Sequence, residues 1–317
     1  MQICKNYPSA IQAFQVALRA NPNDQILWLR LGEAYSLAGR HSAAVKALGR
    51  AHELSPDDWI CSFFIGDVHR QMGKFQEAIG TFESILANRP SEIGVVMYLA
   101  QTYLDLGRNE VSTAFLARAE QSFGACARMA MKAIRENPGF RSLAWKMVAD
   151  AIFHLSKHTS YFDTEGIRAL LSDVTSLITV NVSDRLLDIL TLPSQGGESL
   201  GGRQVLEVAV VAYDHRISLG SSEESTNGPS WHDLGIALSF WSSQTNRKEA
   251  QDRANKQAVA CLKKAIHEDP GNDAYWNALG NMNFVAQPKV AQHAYIRALE
   301  IDSKVSDVSY TLNLILA

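Results

Sequence analysis

Few of the features that signal chemistry occur in this chain of 317 residues. Its four cysteines, Cys4, Cys61, Cys126 and Cys261, are far apart and form no CxxC, so free thiols of a reducing compartment are expected. No apolar run reaches the ~18 residues of a membrane span, and Met1 to Pro8 lack the apolar core of a signal peptide. Charge is sparse too: 20% of residues are charged and the net charge is −3, which excludes a strongly basic nucleic-acid binder. His154 and His158 are four apart, but Leu155 stands where H-E-x-x-H needs its glutamate, and no third ligand is evident. They read as solvent-exposed or loop histidines. The glycines of Gly196–Gly202 are followed by Arg203, without the G-K-[ST] ending or a preceding strand that a phosphate loop requires. They read as a flexible turn, and Glu223-Glu224 as a solvated pair. No catalytic residue, cofactor-binding residue or metal ligand can be named.

What the chain does have is periodicity. Pro22, Pro56 and Pro90 are 34 residues apart, and between the first two lie Trp28-x2-Leu31-Gly32-x2-Tyr35 and then Ala44, Leu48 and Ala51. Residues three and four apart share a helix face, so Trp28, Leu31 and Tyr35 form a stripe. Gly32 admits a neighbouring helix, Leu48 fills the gap between Ala44 and Ala51, and Pro56 suits a unit boundary because it lacks the N–H of a helix interior. The next unit repeats this with Ile65-Gly66, Ala78, Phe82, Ile85 and Pro90. A partial unit ahead supplies Ala10, Phe14 and Ala17. This is the tetratricopeptide pattern. It predicts an all-α, right-handed superhelical solenoid of helix-turn-helix repeats, which offers an extended binding surface and no active-site pocket, hence no enzyme.

The phase then breaks. Pro138 follows Pro90 by 48 residues, and the Ala-rich stretch Asn109–Asn137 predicts a lengthened second helix, bent at Gly124. Trp145 opens a fourth unit whose second helix is delayed by an insertion, residues 155–201, with short helices at Thr164–Ile178 and Asp184–Leu192; helix resumes at Gln204–Leu219. The insertion is apolar enough to pack rather than hang free. Trp231 and Ala258 are 27 residues apart where Trp28 and Ala44 are 16, so both helices of that unit should be long. The following unit, with Trp276, Leu279-Gly280, Ala291, Tyr295 and Ala298, is one residue tighter than standard. The whole chain is expected to be one solenoid segment of about six units, with partial units at both ends. Leu312, Leu314, Ile315 and Leu316 form no polar cap, so a piece of a longer protein is expected.

Inward positions of the first helices are the candidate contacts. A clamp for a C-terminal carboxylate needs cationic and amide donors, but Leu29, Glu33, Phe64, Gly94 and Tyr98 stand at those places, and Glu33 would repel a carboxylate. Asp67, Arg70 and Gln71 in one unit, and Asn277 and Asn281 in another, are the groove residues that could meet a partner backbone. Trp145, Trp231 and Trp276 read as packing residues.

The irregular units carry a closer likeness. Phe140-Arg-Ser-Leu-Ala-Trp-Lys-Met-Val-Ala-Asp-Ala-Ile152 follows an over-long helix ending at Pro138, and Asp273-Ala-Tyr-Trp-Asn-Ala-Leu-Gly280 precedes Val290-Ala-Gln-His-Ala-Tyr295. These segments, and their order, resemble the tetratricopeptide scaffold subunits of superkiller helicase complexes over about residues 24–317. That resemblance implies a non-enzymatic cytoplasmic scaffold, with the nucleus also open, and no cofactor. It implies protein partners: an RNA helicase subunit, WD-repeat subunits and, indirectly, the RNA exosome, serving 3′-to-5′ mRNA decay. Direct RNA contact and membrane association are not implied. Two alternatives remain: a general peptide-binding adaptor, and the recruiting arm of an enzyme whose catalytic domain lies elsewhere.

Overall fold

In a computed structural model the chain is all-α. Fourteen α-helices and one 3-10 turn, with no strand, occur among the described residues, which are 7–178, 186, 200–219 and 227–302. The predicted helix Asp184–Leu192 (its buried Leu186 excepted), the pair Glu223-Glu224 and the final segment from Tyr310 lie outside them. Contacts divide the chain into two compact units, Met1–Glu136 and Asn137–Ala317.

The first unit contains α1 (Tyr7–Ala20), α2 (Gln25–Leu37), α3 (His41–Leu54), α4 (Trp59–Gln71), α5 (Phe75–Asn88), α6 (Ile93–Ser112) and α7 (Leu116–Glu136). Helices α2 and α3, α4 and α5, and α6 and α7 pair as hairpins. The starts of α2 and α4 follow from a short motif that repeat spacing alone does not reveal: proline, any residue, then aspartate. The Asp24 carboxylate accepts from the backbone N–H groups of Ile26 and Leu27 at 3.0 and 3.1 Å, and Asp58 accepts from Ile60 at 3.0 Å. The proline carbonyl is also used, because the Trp28 indole donates to Pro22 O at 2.8 Å.

Each hairpin closes on one contact between a glycine and a large side chain. A Cβ on Gly32 would lie 2.5 Å from Leu48 Cγ, and one on Gly66 would lie 2.8 Å from the Phe82 ring. The partners are 16 residues apart, across a three-residue turn. In the third hairpin the same contact joins Gly107 to Phe123, again 16 apart, with 2.6 Å to the ring. Consensus spacing therefore restarts at Gly107, two turns beyond Ala100, and continues through buried Ala119 and Cys126.

This corrects the expectation of a single lengthened second helix. Helix α6 has 20 residues against 13 in α2, and α7 has 21 against 14 in α3, so each gains seven. Asn109–Ser112 close α6 rather than beginning α7. Seven residues make nearly two whole turns, so both helices lengthen without rotating their buried faces. Helix α7 runs unbroken through Gly124.

The second unit starts with a 3-10 turn, Pro138–Phe140, and contains α8 (Arg141–Leu155), α9 (Thr164–Leu177), α10 (Gly202–Leu219), α11 (Gly228–Gln244), α12 (Lys248–Glu268), α13 (Asp273–Asn283) and α14 (Pro288–Ile301). The delayed partner of α8 is α10, and α9, from the insertion, packs on α10 as well. The insertion closes where Gly202 starts α10, since a Cβ there would sit 2.5 Å from Ser156 O and 3.1 Å from His158 O. Helix α10 is buried at every residue from Val205 to Ile217, so no face is left for water.

Both helices of the next hairpin are long, as the spacing requires. Helix α11 gains four residues over α2 and α12 gains seven over α3. Here Gly235 still meets Leu262, so the added turns lie on the turn side of that contact. The extension carries fully buried Trp241, and Phe240, whose ring is 5.6 Å from that of Phe153 on α8. The last hairpin, α13 with α14, closes on Gly280 against Tyr295, one residue tighter, as expected.

Ala114 occupies the turn position that Gly39 and Gly73 hold in the two preceding hairpins, with φ 62° against their 71° and 75°. A Cβ is strained in that left-handed region. Ala114→Gly is expected to raise stability by about 1 kcal/mol, whereas Gly107→Ala, driven into Phe123, lowers it by about 1–3 kcal/mol. Urea unfolding of the two variants measures both signs.

Candidate interaction surfaces

Three successive first helices of the first unit are joined by a ladder of polar side chains. On α2, the Ser36 hydroxyl donates to Gln71 Oε1 of α4 at 3.2 Å, and Gln71 Nε2 donates to Asp67 Oδ2 at 2.8 Å. Arg70 forks over Asp67 through Nε and Nη2 at 3.1 and 2.8 Å, and its Nη1 donates to Asp105 Oδ2 on α6 at 2.7 Å. Gln101 Nε2 completes the ladder on Asp105 Oδ1 at 2.8 Å. Burial works against the Arg70 cation, but its bonds to Asp105 and Asp67 outweigh that cost and hold the charge more firmly than usual. The ladder runs beside an aromatic cluster in which Phe63 packs edge-on against Tyr98 at 4.7 Å, and Arg70 lies 6.0 Å from the Tyr98 ring.

Of the residues singled out in the sequence, Asp67, Arg70 and Gln71 thus come together. Their partners Ser36, Gln101 and Asp105 were missed. The available signal was the 35-residue interval from Ser36 to Gln71 and from Arg70 to Asp105, which places polar groups side by side on stacked first helices. Asn277 and Asn281 sit one turn apart on α13, in the second unit. Asn277 is half-buried; Asn281 is exposed and accepts from the Tyr295 hydroxyl at 2.7 Å, leaving its amide nitrogen to donate outward.

The second unit holds a charged node among α8, α10 and α11 that sequence reading did not find. Lys146 Nζ reaches Asp150 Oδ2 at 2.9 Å and Asp233 Oδ2 at 3.2 Å, and Arg216 Nη1 reaches the same Asp233 oxygen at 2.9 Å. The Tyr213 hydroxyl donates to Asp150 Oδ1 at 2.6 Å. Burial, reinforced by the Asp150 charge, pushes the Tyr213 phenol well above its usual value, so it remains a donor. Burial alone would raise the Asp233 carboxyl. The His232 hydrogen bond and the Lys146 and Arg216 charges outweigh it and hold the group below the usual carboxylate range. Nearby, His215 packs edge-on against buried Trp145 at 4.7 Å, and burial lowers its pKa.

Comparison with known proteins agrees with this architecture. The tetratricopeptide repeat family matches residues 5–58 and 65–126. Superkiller protein 3 of Schizosaccharomyces pombe is 30% identical over 281 residues, 87% of this chain and 20% of that protein. Superkiller complex protein 3 of Mus musculus is 27% identical over 92% of the chain and 17% of its own length. A crystal structure of the APC/C hetero-tetramer Cut9-Hcn1 superposes with a TM-score of 0.58 at 11% identity, covering 99% of this chain and 47% of that one. The chain carries tetratricopeptide repeats over residues 5–58 and 65–126. It spans about a fifth of the length of the superkiller relatives it matches.

The node pairs charges carried by three helices. Lys146 and Asp233 are 87 residues apart, and their meeting joins the fourth unit to the fifth across the insertion. Of the two histidines, His154 lies in the last turn of α8 and His158 in the loop after it, so they do not share a helix. His158 is buried, stacked 6.5 Å from Tyr161, rather than exposed. Among the described residues, no cluster of three or more His, Cys, Asp or Glu could hold a metal, and no helix is long and apolar enough to cross a membrane. Cys61, Cys126 and Cys261 are buried thiols.

Asp233→Asn leaves the Arg216 cation buried without its carboxylate and is expected to cost about 3–5 kcal/mol at pH 7. Because the folded pKa of Asp233 is depressed, its contribution is complete above the unfolded value of about 3.9 and is lost as pH falls through the lower folded value. The Asn variant should therefore lose less stability than the parent between pH 5 and pH 2, as read by denaturant titrations. Arg70→Ala, which strands Asp105 from α4, should cost about 1–3 kcal/mol, measured the same way.

Proposed function

We propose that this chain is a non-catalytic segment of a superkiller-type scaffold. Such a scaffold holds an RNA helicase subunit and WD-repeat subunits together in the cytoplasm, in an assembly that passes mRNA to the exosome for 3′-to-5′ decay. One observation carries the reading. Likeness to superkiller protein 3 covers 87% of the chain, well past Cys126, after which the general repeat family no longer matches. The stretch beyond includes the inserted α9, the buried α10 and the long α11–α12 hairpin. Generic repeat likeness would follow the regular units.

The chemistry available supports a scaffold. The charged groups described in the second unit are consumed by one another inside the protein, which suits rigidity better than turnover. The Asp67, Arg70 and Gln71 ladder and the Asn277 and Asn281 pair are the proposed partner contacts, through the hydrogen-bonding capacity that their bonds within the protein leave unused.

Affinity capture of the full-length protein from its own cells, followed by mass spectrometry, tests this. A helicase and WD-repeat proteins are expected in the eluate. Recovery of neither, with other partners retained, overturns the proposal.

A further inference from the structure

The first unit contains a groove of about 780 Å³ away from the polar ladder. Helices α1 and α3 form its walls and α2 its base, so it lies between two second helices of the repeat and apart from the polar ladder. Its floor is apolar, with Leu31 and Ala47 buried and Trp28 half-buried. The Tyr35 hydroxyl at its side is already held by Gln15 Nε2 at 2.7 Å.

Its rim carries Arg19 from α1 and Lys46 and Arg50 from α3, and no carboxylate lines it. Among the described residues neither Arg19 nor Lys46 is paired with an acid. Arg50 reaches Glu53 at 2.8 Å, an exposed pair of little energetic weight that a ligand carboxylate can displace. The matching groove one unit further on has the opposite character. It is lined by Asp57 and Glu77, and its Arg89 is drawn over the Trp59 ring at 5.7 Å. The next groove does not share this cationic lining, which is therefore not a consequence of the repeat.

We propose that this groove binds an acidic segment of a partner protein. A bulky apolar side chain of that segment enters against Trp28, Leu31 and Ala47, and flanking carboxylates meet Arg19, Lys46 and Arg50. The volume lies in the range of small-ligand pockets, enough to take one bulky side chain and its neighbours. Charge complementarity argues for protein over RNA. A phosphate backbone continuing along the unit would run from three cations directly onto Asp57 and Glu77, whereas a short acidic stretch ends before them.

The test uses the 317-residue chain and a fluorescein-labelled hexapeptide with a central Phe-Leu pair flanked by Asp and Glu, read by fluorescence anisotropy. Binding that weakens at least tenfold in the Arg19→Glu/Lys46→Glu double variant is expected. A peptide with Lys in place of its acids should prefer that variant over the parent. Both changes are on exposed side chains, and circular dichroism checks that the fold persists. Equal affinity for parent and variant overturns the proposal, as does absence of binding at millimolar peptide. Tighter binding of a labelled RNA decamer than of the peptide also overturns it.

Discussion

The close approach of one glycine to one large side chain is the constraint on which the hairpins depend. At Gly32, Gly66, Gly107, Gly235 and Gly280 the first helix lies so near its partner that a Cβ would fall within 3 Å of Leu48, Phe82, Phe123, Leu262 or Tyr295. Packing density does the rest, because a leucine or aromatic ring fills the space that the absent Cβ leaves. Alanines such as Ala44, Ala78 and Ala119, all fully buried, keep the second helix equally close. Proline, capping aspartate and turn glycine then determine where helices begin and end. Distance between the helices is set elsewhere, at that single contact.

Given this contact, length becomes adjustable in two directions. In α6 and α7 the added turns lie on the side away from the turn; in α11 and α12 they lie on the turn side. Both choices preserve the buried face because the added segments, seven and seven or four and seven, approximate whole turns. The consequences differ. Extending the turn side of α11 puts Trp241 beside α10, where its indole N–H reaches Glu207 at 3.3 Å. There it helps to cover a helix that the insertion also covers. The insertion and the long hairpin therefore serve one purpose, the burial of α10 from Val205 to Ile217.

The regular part of the fold was legible because its information is local. Trp28 to Tyr35 and Ala44 to Ala51 are each confined to one helix, and their spacing alone distinguishes helix from strand. The lengthening of the third hairpin was misassigned for a related reason. An Ala-rich stretch satisfies helix propensity wherever it lies, so nothing between Asn109 and Asn137 marked the turn at Thr113–Phe115. Its glycine was missing: Ala114 takes the left-handed conformation instead. Of the candidate contacts, Asp67, Arg70 and Gln71 were visible as polar residues on one face. The acid that completes them, Asp105, lies in the next unit and was not.

Sequence by itself determined the helical repeat, the boundaries of its regular units and the long α11–α12 pair, since periodicity and spacing count residues along the chain. Tertiary structure alone decided where α9 of the insertion packs, and that Lys146, Arg216 and Asp233 share one site. Those outcomes depend on segments tens of residues apart meeting in a particular arrangement. The free energy comes from burying α10 and pairing charges removed from water, and spacing along the chain contains no record of either.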